Sequence, residues 1–454
     1  MKLPARIMVA GGGSGSGKTT VSCALMAAFM RRGLKTAAFK CGPDYIDPMF
    51  HRETLGTHSA NLDLFMLGED TALKLLSENS LGCDIAVLEG VMGFYDGVGG
   101  GTAEASSWHL SEASETPVLL VENCESQSLT IAAHIKGVLE FRRNNIRAVL
   151  LNNTGEASFK TLKLVIERET GIPVVGFMPY LPGCAIESRH LGLVTAAEIE
   201  DLRKKISRLA DTIEKTADID KILSISASAP PLKTPASVKN MPLSKTLSGK
   251  KRRIGVARDR AFCFYYEDSL GLLEKMGAEL IDFSPLADKS LPPNLDGLIL
   301  GGGYPELYAA ELSENKTMLV GVKNAVCGGL PVIAECGGFM YLHNELDVDG
   351  KIYLLAGVID ARCEKKERLV RFGYAEFTAN TSNLLCEAGE TLRGHEFHYW
   401  DSSRTGDAFT AVKPVSGKSW KCIIATETLF AGFPHFHLCS APGAAERFLT
   451  KCSA

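Results

Sequence analysis

At 454 residues the chain has room for two or three domains of roughly 150 residues each. Its 45% hydrophobic and 22% charged residues support a large buried core. A formal net charge of −4 argues against a protein built to grip nucleic acid, and no apolar run approaches the ~18 residues that span a bilayer.

In chain order, "RIMVA" (6–10), "TAAFK" (36–40), "DIAVLEG" (84–90), "PVLLVEN" (117–123), "IRAVLLNN" (146–153) and "PVVGFMP" (173–179) are short apolar runs with the character of buried strands. Amphipathic stretches such as "TVSCALMAAFMRRG" and "SLTIAAHIKGVLEFRRN" separate them. This alternation predicts an α/β fold with a mainly parallel sheet covered by helices. From about 221 to 250 the chain turns rich in Ser, Pro and Lys and loses periodicity, the composition of a linker. The "KKRR" at 250–253 is expected to be the solvated end of that linker rather than a nucleic-acid patch. Strand-like runs then resume at "RIGVARD" (253–259), "DGLILGGGYPE" (296–306) and "PVIAECGGF" (331–339), with shorter β-like segments near the end. The expected organisation is a P-loop domain at 1–220, a linker at 221–250 and a second α/β domain at 251–454.

The N-terminus enters a glycine loop after one short strand, with no apolar leader, and the 13 cysteines include no C-x-x-C pair. Reduced thiols and a cytoplasmic location are therefore expected.

"GGSGSGKT" (12–19) fits G-x-x-x-x-G-K-[ST] between a strand and a helix. Gly12, Gly15 and Gly17 would let backbone N–H groups face phosphates. Lys18 would reach the β- and γ-phosphates, Thr19 would hold Mg²⁺, and Thr20 would continue the binding loop. "DIAVLEGVMGFYDG" adds Glu89 and Asp96, and "KCGPDYIDPMFH" adds Lys40, Asp44, Tyr45 and Asp47, all expected at the carboxyl edge of the sheet. From spacing alone, Asp44 and Asp47 are equally well explained as turn residues around Pro43 and Pro48.

In the second half, Cys336 sits at a strand-to-helix turn followed by glycines, the logic of a nucleophile elbow with cysteine in place of serine. Gly302 and Gly337 can offer backbone N–H groups to an oxyanion. Candidate bases are the histidines that follow Cys336: His343, then His395 and His398 in "GHEFHYW", and His435 and His437 in "PHFHL". Two residues apart, His435 and His437 would share one face of a strand. A metal site built from the two pairs is the alternative, though no Cys or carboxylate spacing reinforces it.

The stretches "GGSGSGKTT", "KCGPDYIDPMFH", "NLDLFM", "LEGVMGFYDG", "LILGGGYPE", "AECGGFMYL", "VRFGYAEF", "GHEFHYWD" and "PHFHL" run in order along nearly the whole chain. Together they resemble the cobyrinic acid a,c-diamide synthases, which join a dethiobiotin-synthetase-like P-loop domain to a class I glutamine amidotransferase domain. The resemblance implies a carbon–nitrogen ligase that amidates the a and c acetates of a corrinoid with ATP, Mg²⁺ and glutamine. It implies an ATP and acyl-phosphate site of Lys18, Thr19, Asp44, Asp47, Glu89 and Asp96, with Thr19, Asp44 and Glu89 as metal ligands. Cys336 would be the glutaminase nucleophile, and the ammonia it releases would pass through a shielded channel to the synthetase site. Hydrogenobyrinate and nickel-sirohydrochlorin carry similar acetates and remain alternatives. A P-loop switch of the ParA type would have no use for the Cys336 elbow. The expected assembly is a monomer or homodimer with no nucleic-acid or membrane partner. One departure stands out: related amidotransferases carry a glutamate two residues after the histidine, and Phe436 and His437 follow His435 here.

Overall fold

The computed structural model describes residues 4–184, 196–232 and 250–452. It divides into two compact units, Met1–Asn240 and Met241–Ala454.

The first unit alternates strand and helix: β1 (Ala5–Gly11), α1 (Lys18–Arg31), β2 (Thr36–Cys41), α2 (Ile46–Phe50), β3 (His58–Leu62), α3 (Leu64–Asn79), β4 (Ile85–Glu89), α4 (Ser107–Ala113), β5 (Val118–Asn123), α5 (Leu129–Phe141), β6 (Ile146–Asn152), α6 (Glu156–Thr170), β7 (Val174–Met178), α7 (Ala196–Thr216) and α8 (Ile219–Ala227). The seven strands form one sheet in the order β3-β2-β4-β1-β5-β6-β7, and every pairing is parallel. Strands buried on both faces explain the unbroken apolar runs. Ile206, Leu209, Ala210 and Ile213 of α7 recur at helical spacing and join the core beneath α1.

Two features were not anticipated. β3 reads "HSANL", with no β-branched residue to mark it. α8 occupies the start of the stretch expected as linker. Asp218 caps it by accepting from the Lys221 N–H, and Ile219 and Ile222 are buried. Two buried isoleucines at helical spacing outweigh the Ser-rich composition there. Residues 233–249 of that stretch lie outside the described residues.

The second unit contains β8 (Arg252–Ala257), β9 (Ala278–Phe283), β10 (Gly297–Leu300), β11 (Val332–Glu335), β12 (His343–Val348), β13 (Lys351–Leu354), β14 (Ile359–Lys365), β15 (Arg371–Ala379), β16 (Thr391–His398), β17 (Trp400–Ser402), β18 (Phe409–Val412), β19 (Ser419–Cys422), β20 (Ile424–Ala425), β21 (Leu429–Gly432) and β22 (His435–Phe436). Its central sheet, β20-β21-β11-β10-β8-β9, is parallel except at the β20 edge. A four-stranded sheet (β13-β12-β14-β17) and a five-stranded one (β19-β18-β15-β16-β22) extend it. Arg252 and Arg253 begin β8, so half of the basic run at 250–253 is strand rather than linker.

Candidate active sites

In the first unit, strand register brings the chemistry to one edge. Val9 pairs with Glu89, and Lys40 pairs with Glu89 from the other side, so the carboxyl ends of β1, β2 and β4 lie side by side. The glycine loop leaves β1 and enters α1. Gly15 and Gly17 adopt φ of 78° and 98°, a region closed to most side chains. A Cβ on Gly17 would strike the amide of Asn152, which donates to the Ser16 carbonyl at 3.0 Å. Gly12 is packed as closely, against Glu122 and His134. Thr20 lies half-buried in the first turn of α1.

Lys18 donates to the carbonyls of Gly13 (2.9 Å) and Met92 (2.6 Å), so loop 90–96 lies across the glycine loop. Burial, helped by the charge of Lys40, brings the Lys18 ammonium down to about 8. Below Lys18, the Thr19 hydroxyl donates to Glu89 Oε1 at 2.5 Å, and Lys40 Nζ donates to the same oxygen at 2.8 Å. Lys40 also pairs with Asp47 at 2.5 Å. Burial opposes the charge on Lys40, yet Glu89 and Asp47 outweigh it and hold the ammonium well above its usual range. Burial likewise opposes the charge on Glu89, but Lys40 and His51 overcome it and hold that carboxylate well below its usual range. Burial and the charge of Glu89 push Asp47 up instead. Of the two carboxyls sharing Lys40, Asp47 is the one that takes a proton more readily.

His51, in the π-helical turn His51–Leu55, was not singled out from sequence. Its Nε2 lies 3.3 Å from Glu89 Oε2. Its only advance signal was its place at the end of "KCGPDYIDPMFH". Tyr45 precedes α2 and is buried. Asp44 flanks the cluster, where its charge acts on Lys40 and Asp47. The Asp44 carboxylate accepts from the Ile46 N–H at 2.8 Å, closing its own turn before Pro48. Asp96 is exposed and accepts from the Gly93 N–H at 2.8 Å, shaping the loop that carries Met92. Both bond as short-range turn residues do.

In the second unit, Cys336 joins β11 to the short helix Gly337–Tyr341 with φ 48° and ψ −101°, a strained conformation for a residue with a side chain. The strain is held by backbone bonds from the Cys336 N–H to the Gly432 carbonyl (2.8 Å) and from the Gly338 N–H to the Gly301 carbonyl (2.9 Å). Gly337 is the first helical residue, where the N–H has no partner within the helix. A Cβ on Gly337 would sit 3.1 Å from the Gly303 nitrogen, so the two glycine segments meet beside the thiol.

His435 closes this site. Its imidazole lies close enough to the Cys336 sulfur to interact with it. Its Cε1 lies where a Cβ on Gly302 would fall within 2.6 Å, and its Nδ1 is 3.5 Å from Glu335 Oε2. Burial opposes charge on this imidazole, but the Cys336 sulfur and Glu335 outweigh burial and raise it to about 10.

His437 goes elsewhere, contrary to the expectation of a shared face. β22 ends at Phe436, so strand alternation stops before reaching His437. His437 stacks on Tyr266 at 4.7 Å, lies 3.3 Å from Ser269 Oγ, and accepts from the Cys439 N–H as a helix cap. Burial lowers it to about 3, so it stays neutral. His395 pairs in register with His435 from β16. His398 donates to the Trp400 carbonyl and stacks on Phe433.

These two units fit one class: a P-loop nucleotide-binding domain joined to a glutamine amidotransferase domain. Residues 7–193 match the CobQ/CobB/MinD/ParA nucleotide binding domain, and residues 253–442 match the CobB/CobQ-like glutamine amidotransferase domain. A cobyrinate a,c-diamide synthase from Caldanaerobacter subterraneus is 39% identical over 452 residues, covering 98% of this chain and 98% of its own length. Proteins of the same name from Priestia megaterium and Salmonella typhimurium are 37% and 38% identical, covering 99% and 97% of this chain and 97% of each relative. The chain belongs to the cobyrinate a,c-diamide synthase family, and it is a ligase of the glutamine amidotransferase type. Among the described residues no helix is long and apolar enough to cross a membrane.

Proposed function

We propose that this enzyme amidates the a and c acetate carboxylates of cobyrinate through acyl phosphates, using ATP and glutamine. The observation that carries the reading is the His435 imidazole held on Cys336 at a strained elbow, in a chain whose other domain gathers Lys18, Thr19, Lys40, Asp47 and Glu89. A carboxylate is a poor electrophile, so transfer of the γ-phosphoryl group of ATP to it is needed before nitrogen can attack. Lys18 would leave the Gly13 and Met92 carbonyls for the β- and γ-phosphates. Thr19 and Glu89 fit a divalent ion. Their oxygens lie 2.5 Å apart, and the second Glu89 oxygen, Oε2, is buried with only His51 Nε2 beside it, at 3.3 Å. Mg²⁺ held there would offset phosphate charge during transfer. Asp44, whose carboxylate closes its own turn, is assigned to that turn rather than to the ion.

At the second site the Cys336 thiolate attacks the side-chain amide of glutamine. The Gly302 and Gly337 N–H groups receive the oxyanion. The His435 imidazolium gives its proton to the departing nitrogen, so ammonia leaves and a glutamyl thioester remains. Water, deprotonated by His435, then releases glutamate. Ammonia attacks the acyl phosphate, inorganic phosphate leaves, and an amide forms.

Incubating the purified enzyme with ATP, glutamine and, in turn, cobyrinate, hydrogenobyrinate and nickel-sirohydrochlorin tests the assignment by mass analysis. Two amides gained on cobyrinate alone are expected. Amidation of only another of these acids would overturn the choice of substrate.

A further inference from the structure

The histidine of this site lacks the glutamate that would follow two positions on, and a different carboxylate stands in its place. Glu335 is the last residue of β11, and its backbone is held in register with Gly432 of β21. Its Oε2 is 3.5 Å from His435 Nδ1. Its Oε1 accepts from the Phe436 N–H at 3.4 Å. One carboxylate therefore touches both the imidazole and the backbone of the two-residue strand that carries it. With Nδ1 turned to Glu335, Nε2 is the nitrogen left for the Cys336 sulfur.

We propose that Glu335, the residue immediately before the nucleophile, is the positioning residue for His435, supplying from β11 the orientation that a glutamate beyond the histidine would otherwise provide. This rests on the glutaminase reading of Cys336. A carboxylate on Nδ1 fixes the tautomer and stabilises the imidazolium formed as the thiol ionises. The same strand end thus sets both partners: its terminal peptide forces Cys336 outward, and its terminal side chain aims the base. The charged or titratable groups around His435 are Cys336 and Glu335 from β11 and its end, and His395 across the ladder. Burial lowers His395 to about 3, so it adds no positive charge at working pH.

The test uses the full-length enzyme with Glu335→Gln and Glu335→Asp. Glutaminase kcat and KM are measured across pH, beside amidation driven by ammonium. Glu335→Gln should lower kcat by on the order of 100-fold with KM little changed. Its alkaline limb should move to lower pH, because the imidazolium loses its carboxylate. Glu335→Asp should recover part of the rate and of the limb, and ammonium-driven amidation should persist in both. An unchanged rate and limb in Glu335→Gln would overturn the proposal. So would equal losses in both variants without a shifted limb, or loss of ammonium-driven amidation as well. Absence of glutaminase in the unmodified enzyme would instead overturn the reading of Cys336 itself.

Discussion

Replacing Gly302 by alanine probes how tightly the base is held. Gly302 lies outside the left-handed region, so its backbone tolerates alanine. The added Cβ, however, would fall 2.6 Å from His435 Cε1 and 3.3 Å from the Phe264 side chain. Ordinary contact begins near 3.4 Å, so the imidazole must retreat by about 0.8 Å. A retreat on that scale would disturb its alignment with Cys336. Misplacement by about 1 Å costs on the order of 100-fold in rate. Glutaminase kcat should therefore fall about 100-fold in Gly302→Ala, while ammonium-driven amidation stays near its original rate. The N–H of residue 302 survives the substitution, so the loss reports the position of the base rather than a missing oxyanion donor. Glutaminase activity within a factor of two of the original would refute the packing argument.

Asp47→Asn leaves Lys40 paired with Glu89 but removes its 2.5 Å partner. Amidation should fall with glutamine and with ammonium alike, while glutaminase is retained, as a nitrogen-source comparison would report. His435→Ala should lose roughly 100- to 10,000-fold in glutaminase rate, whereas His437→Ala should lower the melting temperature and leave the rate per folded molecule nearly intact. His343 and His437 are buried and His395 half-buried, and desolvation lowers them to about 4, 3 and 3 in that order. Between those values and the unfolded value near 6.5 the unfolded chain binds more protons, so the contribution of these three groups is full above about pH 6.5 and drains as pH falls toward 3. Each group contributes at most about 1.4 kcal/mol per pH unit, and thermal melts between pH 4 and 7 should show the slope, reduced in His437→Gln.

The parts legible in the sequence are those whose chemistry is local. The glycine loop and the Cys336 elbow each lie within ten residues, so backbone requirements and side chains appear together. The parts that were not legible depend on distant pairing. His51 reaches Glu89 across 38 positions because β2 and β4 are neighbours in the sheet. Glu335 was visible in "AECGG", yet only the return of the chain at His435 gives its carboxylate a role. His437 was misplaced because two-residue alternation was extended past a strand that is itself only two residues long. The carboxylates of Asp44 and Asp96 each accept from a backbone N–H within their own turns.

The central claim is that one chain joins a Cys336-dependent ammonia source to a separate ATP-dependent amide-forming site. The most direct measurement is amidation of cobyrinate by Cys336→Ala with either glutamine or ammonium as nitrogen donor. Glutamine-driven amidation should vanish and ammonium-driven amidation should remain. Survival of the glutamine-driven reaction, or loss of both, would contradict the account.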